Sequence, residues 1–495
     1  MKKALLLISA FLICLSVLAG CGIRKPTQGS SNAIGDEEQN NGFDPFAPAE
    51  GNEKDFEPVV VDLNKRKIKV AVELNITTWA NAQEYGEERT NPLRYYSRMD
   101  TQKRYNCTFV YQALPYEQLY KSLENNHIAG IFEYDAYEFR GYDVMPRIIA
   151  SGAALNISEY YPFANDPAWN IPEVKNLGWW YGQKYAMAQG PSLEGYCLWY
   201  NKSLLAKYNQ QDPWKYVDTD TWNFETFRKV ALACTKRISS NMADSNYGFA
   251  CETPFSFMAV ANGGTIVDVS NGAPKLVYDS NQCKEAYEFV INLITKDKVM
   301  PSTDELLSLG IPTGDANYPY YGMPTGKVAM FPYRPGYGAW LVDQGVSEVG
   351  WVYPPKGPSA NKYYIQALTQ PPMYVIPVEV DEKKGITAAV QDMIAHWSSQ
   401  KTNPAPITQQ YDIFTNDPNQ LVVYGPKAKD KRPLELLYAQ GNHLVFSMEH
   451  HFGIVGDVQN VFSNVMDGTV NLNTALSAQK DVIQDKIDKL VKGSN

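Results

Sequence analysis

WWYGQKYAMAQGPSLEGYCLWYNKSLLAKYNQQDPWKYVDTDTWNFETFRKVALACT, residues 179–235, is the stretch on which the fold turns. A glycine turn leads into the apolar run Tyr196–Tyr200, whose length and aromatic content suit a buried strand. Tyr200-Asn201-Lys202 and Leu204-Leu205 follow, then Asp212-Pro213, Thr221-Trp222 and an amphipathic helix. A strand passes directly into helical material here, and the pattern recurs elsewhere.

Upstream, Lys67-Ile68-Lys69-Val70-Ala71-Val72-Glu73-Leu74 alternates apolar with mostly polar residues and reads as a strand, with a loop over Asn75–Trp79. Downstream, Cys283, Ala286, Tyr287, Val290, Leu293 and Ile294 recur at helical spacing. So do Ile386, Ala389, Val390, Met393, Ile394 and Trp397. Val328–Phe331 is another short buried run, and a last amphipathic helix is expected with Val482, Ile483, Ile487, Leu490 and Val491 on one side. Alternation of helices and strands predicts an α/β architecture in which helices cover the sheets. The 495 residues allow two to four domains and show no internal repeat.

The chain begins with Lys2 and Lys3, then an apolar run to Gly20 that is short for a bilayer-spanning helix and has the order of a secretory signal, residues 1–20. It ends in Leu18-Ala19-Gly20-Cys21, which resembles the lipobox of bacterial lipoproteins and makes Cys21 the expected lipidation site. A diacylated cysteine carries the two chains that stable attachment needs. Residues 21–65 read as the lipidated cysteine and a flexible tether, since Gly22–Pro58 is rich in Gln, Asn, Gly, Ser, Pro and acids. Removal of the signal takes two lysines and no acid, shifting the net charge from -9 to -11. Such a body lacks the broad basic face a nucleic acid requires, and no later segment is apolar and long enough to span a membrane.

Motifs of catalysis are sparse. The histidines are His127, His396, His443, His450 and His451, none in H-E-x-x-H, so no metal is expected. PGYGAW lacks the third glycine of a dinucleotide fingerprint, and neither a P-loop nor a G-x-S-x-G elbow occurs, so no cofactor is expected. Glu133, Asp135 and Glu138 cluster, and glycoside hydrolysis asks only for two placed acids, which keeps that activity as a rival reading. Cys107, Cys197, Cys234, Cys251 and Cys283 remain after the signal and lipid site, widely spaced, and read as buried free thiols, with one disulfide left open. The 33 Tyr, 19 Phe and 10 Trp suit sugar-like ligands, because Tyr and Trp join a flat apolar face to a hydrogen-bonding tip.

The segment 179–235, with Asn262-Gly263-Gly264, Gly326-Lys327-Val328-Ala329-Met330, Gly350-Trp351-Val352-Tyr353-Pro354-Pro355 and Asp467-Gly468-Thr469 through Ala475-Leu476 in that order, resembles the extracellular solute-binding proteins, family 1, of ABC importers. Met323 stands where that family often has phenylalanine, and Tyr134-Asp135 replaces a commoner Pro-Asp. The resemblance implies a two-lobed periplasmic-binding-protein type II fold with a hinge and an interlobe cleft. It places the first lobe at residues 66–195 plus 368–401 and the second at 196–367 plus 402–495.

It also implies a carbohydrate ligand, an oligosaccharide in particular, ABC permease subunits as partners, a monomer anchored on the outer side of the cell membrane, and no catalysis. Relatives carry a ligand-bonding acid where Glu194 stands, although Glu194 reads equally as an exposed loop acid. They place a stacking aromatic in the loop holding Tyr333, Tyr337 and Trp340, of which Trp340 reads equally as core. Arg334 is a five-donor fork for hydroxyls or a partner for a rim acid. Asn75 and Trp79 follow the first strand, and Asp135 is expected to follow the second, at the strand ends where open α/β sheets bind ligands. A surface sensing or adhesion lipoprotein of the same fold is a further alternative.

Overall fold

The computed structural model describes residues 59–73, 92–140, 144–163, 178–188, 195–238, 245–269, 274–301, 322–334, 348–367, 372–398 and 443–492, except 181 and 446, together with 166, 432 and 436. Its principal elements begin with β1 (Arg66–Glu73), α1 (Pro92–Tyr105), β2 (Cys107–Leu114), α2 (Tyr116–Ala129) and β3 (Ala136–Arg140). Next come β4 (Gly195–Asn201), α3 (Lys202–Lys207), α4 (Phe224–Ala233), β5 (Tyr247–Phe249), α5 (Pro254–Ala261) and α6 (Asn281–Thr295). The chain continues through β6 (Val328–Tyr333), β7 (Val349–Val352), β8 (Ile365–Ala367) and α7 (Lys383–Ser398), then β9 (Leu444–Val445), α8 (Val455–Met466) and α9 (Leu472–Lys492). The chain divides into two compact units, one of residues up to Glu138 with Ile157–Asn170 and Ile376–Gln410, the other of Phe139–Asn156, Ile171–Val375 and Tyr411–Asn495. This places 139–156 and 171–195 in the second unit, where the sequence reading carries the first lobe to Gly195. Ile149, Trp180 and Tyr185 explain the difference, since all three pack into the second unit's core.

In the first unit β1 lies between β2 and β3, parallel to both. Lys67 and Lys69 are exposed near its start, while Val70, Ala71 and Val72 are buried in succession, as a central strand covered on both faces requires. α1 packs on β2 and against α7. Thr101 donates to the Asp392 carboxylate at 2.7 Å, Arg104 pairs with the same carboxylate, and Ser97 donates to the Met393 carbonyl at 2.6 Å. Buried polar groups on facing helices are thereby satisfied. α2 buries Leu119, Tyr120 and Leu123 and stops at Gly130, whose φ of +66° few side chains tolerate.

In the second unit the sheet runs β9-β8-β4-β6-β5, with β7 also paired to β4. β4 is antiparallel to β6, β7 and β8. The sequence motifs turn out to be the wiring of this strand. Asn201 caps α3 by accepting from Leu204 N–H at 2.8 Å, and the Tyr200 hydroxyl donates to Asp212 at 2.8 Å. A Cβ on Gly350 would stand 2.3 Å from the Tyr200 ring, so only glycine permits this approach. Asn223 and Thr226 form a capping box at the start of α4, and Trp222 Nε1 donates to the Tyr353 carbonyl at 2.8 Å. The predicted helices are present as α6 and α7, and α9 buries Ile483 and Ile487. Val482 departs from expectation. It is 64% exposed, because the turn of α9 that buries Ile483 carries the preceding residue toward solvent.

His451 lies in the turn before α8, fully buried, with neither ring nitrogen hydrogen-bonded among the described residues. Burial lowers its pKa from 6.5 to about 3. The unfolded chain therefore takes up a proton below pH 6.5 that the native state refuses until about pH 3, so stability falls with pH across that window, by up to about 1.4 kcal/mol per pH unit. His451→Leu is expected to leave stability at pH 7 within about 1 kcal/mol and to flatten the decline between pH 6.5 and 4.5. Urea unfolding of both proteins across that range checks this; an unchanged slope refutes it.

Candidate functional site

β5 and β6 run parallel, and β4 runs against them, so the C-terminal ends of β5 and β6 meet the N-terminal end of β4 at one edge of the second unit's sheet. Tyr333, the last residue of β6, pairs with Cys197, and Ala250 N–H just beyond β5 donates to the Met330 carbonyl at 3.0 Å. These contacts bring three chain segments together: the entry to β4, the exit of β5 and the exit of β6. It is the edge at which open α/β sheets bind ligands, because loops are free there to supply varied side chains on a rigid frame.

Four side chains gather at this edge. Tyr196 and Tyr333 meet edge to face, with ring centroids 6.2 Å apart and planes at 73°. The Arg334 guanidinium lies 6.0 Å from the Tyr333 ring centroid, and its backbone carbonyl accepts from Trp199 Nε1 at 3.2 Å, which fixes the start of the loop. Burial pushes the Tyr196 hydroxyl pKa upward, with contributions from Tyr333 and Glu252. Glu252 keeps an exposed side chain, while desolvation by the surrounding protein raises its carboxyl pKa. Beside it, burial drives the Cys251 thiol pKa up, so this sulfur stays protonated and poorly nucleophilic. The result is a pair of aromatic plates bordered by a guanidinium and a carboxyl, able to stack on apolar ring faces and to bond hydroxyls at their edges.

Of the residues expected from sequence, Tyr333 and Arg334 stand here together. Glu194, Tyr337 and Trp340 lie outside the described residues, as do Asn75, Trp79 and Cys21. In sequence, Glu194 directly precedes β4, and Tyr337 and Trp340 follow Arg334 by three and six residues. Trp199 is fully buried and stacks on Trp351 at 5.7 Å, as its place inside the buried run Tyr196–Tyr200 requires. Tyr196 and Glu252 were missed. Tyr196 was absorbed into a strand, and Glu252 has no motif around it; only the pairing of β5 with β6 brings it to the edge.

Asp135 needs correcting. It does not follow the second strand: α2 intervenes, and Asp135 stands just before β3, at the N-terminal edge of the first unit's sheet. Its carboxylate accepts from Arg66 at 2.5 Å and from Lys69 N–H at 2.7 Å, with the side chain 4% exposed. Asp381 meets the same guanidinium at 2.5 Å. The group thus ties the start of β1 to the start of β3. Among the described residues no cluster of three His, Cys, Asp or Glu is placed to hold a metal ion, and the five cysteines are free thiols, so the one disulfide left open from the sequence is not formed. No described helix is long and apolar enough to cross a membrane.

Neither a family model nor a curated protein matches the sequence. Solved structures do. A sugar transporter from Rhizobium etli in an open conformation is 15% identical, with a TM-score of 0.58 over 86% of this chain and 99% of that one. An ABC substrate-binding protein from Listeria monocytogenes in complex with cycloalternan is 17% identical, with a TM-score of 0.54 over 86% and 99%. The sugar-binding protein MalE from Xanthomonas citri is 14% identical, with a TM-score of 0.55 over 86% and 98%. The chain shares the two-lobed α/β fold of these solute-binding proteins.

Asp135→Asn is expected to cost about 2 kcal/mol in urea unfolding, since it removes the buried carboxylate that bonds both Arg66 and Lys69 N–H and leaves Arg66 only its exposed partner Asp381. Glu252→Gln is expected to cost under about 0.5 kcal/mol. Equal effects at the two positions would refute the assignment of one as a structural pin and the other as an edge residue.

Proposed function

We propose that this chain is the substrate-binding lipoprotein of an ABC importer, capturing a carbohydrate, an oligosaccharide in particular, and delivering it unaltered to a membrane permease. The observation that carries this reading is the meeting of Tyr196, Tyr333, Arg334 and Glu252 at the C-terminal edge of the second unit's sheet. Aromatic faces and polar edges match a pyranose ring, and neighbours of the same fold include a sugar-binding protein and an ABC substrate-binding protein in complex with cycloalternan. In this reading Glu194, Tyr337 and Trp340 complete the edge, and Asn75 and Trp79 at the end of β1 supply the first lobe's contacts. Closure follows when a ligand touches both lobes, because only a difference in contacts between open and closed states shifts that equilibrium. The lipid on Cys21 keeps the device at the outer membrane surface, near its permease.

A glycan panel screened by thermal shift with the mature Cys21→Ser chain is expected to give an upward shift for one glycan class, with no new reducing ends. Saturation at a hundredfold excess over Kd corresponds to about 2.7 kcal/mol of stabilisation. Tyr333→Ala is expected to weaken that binding at least tenfold, or about 1.4 kcal/mol. Turnover of the glycan would replace this reading with a hydrolase, and no shift by any glycan would remove carbohydrate as the ligand. Cell fractionation tests the anchor: the wild-type chain is expected with membranes and the Cys21→Ser chain in the soluble fraction.

A further inference from the structure

The first unit's sheet has a second edge that the ligand reading does not use. α2 runs back along the sheet after β2, so its end, the turn after it and the start of β3 lie at the N-terminal edge of the strands. Ile128 is 82% exposed there, Ile131 57% and Phe132 37%. The turn that displays them is held by Gly130 N–H to the His127 carbonyl and Ile131 N–H to the Asn126 carbonyl, both at 3.0 Å. Asp135, three residues on, is bound to Arg66 at the start of β1, which fixes this apolar knob to the sheet. Three neighbouring large apolar side chains on one rigid turn, left to water, mark a contact surface.

What covers it is indicated by where the chain enters. The Val59 carbonyl accepts from the buried Tyr105 hydroxyl at 2.8 Å, and Leu63 N–H donates to the Tyr105 carbonyl at 2.9 Å, so the segment before β1 is strapped to this same edge. Val60 within it is 52% exposed. The 37 residues 22–58 separate it from Cys21. A flexible chain of that length has a root-mean-square span of roughly 35 Å, which holds this edge near whatever surface carries the lipid. We propose that the N-terminal edge of the first unit's sheet rests on the lipid bilayer, with Ile128, Ile131 and Phe132 entering the boundary between headgroups and acyl chains. This rests on the reading of Cys21 as lipidated, which raises the local membrane concentration enough for a weak contact to count. Charges of both signs lie around the edge, Lys65, Lys67, Lys103 and Lys384 with Asp62, Glu133, Asp381 and Glu382, so no field of a single sign supplies the attraction. Adsorption is therefore independent of anionic lipid.

The test is flotation of the mature Cys21→Ser chain with phosphatidylcholine vesicles at millimolar lipid, beside the same chain carrying Ile128→Ser, Ile131→Ser and Phe132→Ser. The parent is expected to float in part, the triple variant at least about tenfold less, and raising salt is expected to change neither by more than about twofold. Thermal unfolding and glycan binding of the triple variant, unchanged, show that the fold is intact. No flotation of the parent, or equal flotation of the two, overturns the proposal. So does a self-association measured by sedimentation that the triple variant abolishes in the absence of flotation, since the edge would then meet a second copy. Failure of the anchor reading shows separately, as wild-type chain in the soluble fraction of cells.

Discussion

β4 is the constraint on which the second unit depends. It takes antiparallel partners on both sides, β6 on one and β7 with β8 on the other, so its register fixes theirs. The register is locked by side chains as well as by the ladder: Trp199 stacks on Trp351 at an interplanar angle of 15°, and the Tyr200 ring fills the space that Gly350 leaves open. Both faces of β4 are buried, so a slip of one residue would part Trp199 from Trp351, move the Tyr200 ring off Gly350 and press large side chains into spaces shaped for others, a misfit that costs about 1–3 kcal/mol per site. The same strand locates the site, because Tyr196 at its start is placed beside Tyr333 by the pairing of Cys197 with Tyr333.

This explains what was legible in the sequence. Motifs such as Tyr200-Asn201-Lys202, Thr221-Trp222 and Gly350-Trp351 are local solutions to capping, tight approach and buried N–H groups, so they are written in short, recognisable runs. Helical spacing identified the cores of α6 and α7 for the same reason. The site is less legible because it is assembled across strands: Glu252 reaches the edge through the pairing of β5 with β6, which leaves no trace near residue 252. Asp135 shows the converse failure. It is expected after the second strand, yet α2 between β2 and β3 puts it at the opposite edge, where a salt bridge to Arg66 accounts for it. Val482 failed on a single helical step, as a stripe predicted from spacing is broader than the face its neighbours cover.

The first unit carries its polar groups differently. Asp392 accepts from Thr101 and Arg104, and Asp166 accepts from the Tyr161 hydroxyl at 2.8 Å and Gln391 at 3.0 Å, so the seam between α1 and α7 is bonded rather than merely apolar. Such networks add little net stability over well-packed hydrophobes, but they penalise any rotation of α7 that breaks them. A framework that holds its helices in one setting lets its loops take up ligand without the sheet yielding.

At the edge of the second unit neither the thiol nor the phenol is shifted toward a nucleophile. The thiol, Cys251, is driven toward the protonated form, and the Tyr196 hydroxyl is likewise held from ionising. A nucleophile needs the opposite shift. Neutral hydroxyls form hydrogen bonds without the desolvation cost that fixed charges carry, and aromatic faces add affinity without demanding a proton transfer. In the first unit, β1 begins at the edge to which Val59 is bonded and ends at Glu73, shortly before Asn75 and Trp79 in sequence. On the proposed function, one strand separates attachment from capture by its own length, so contact with a surface at one end leaves the other end free for a ligand.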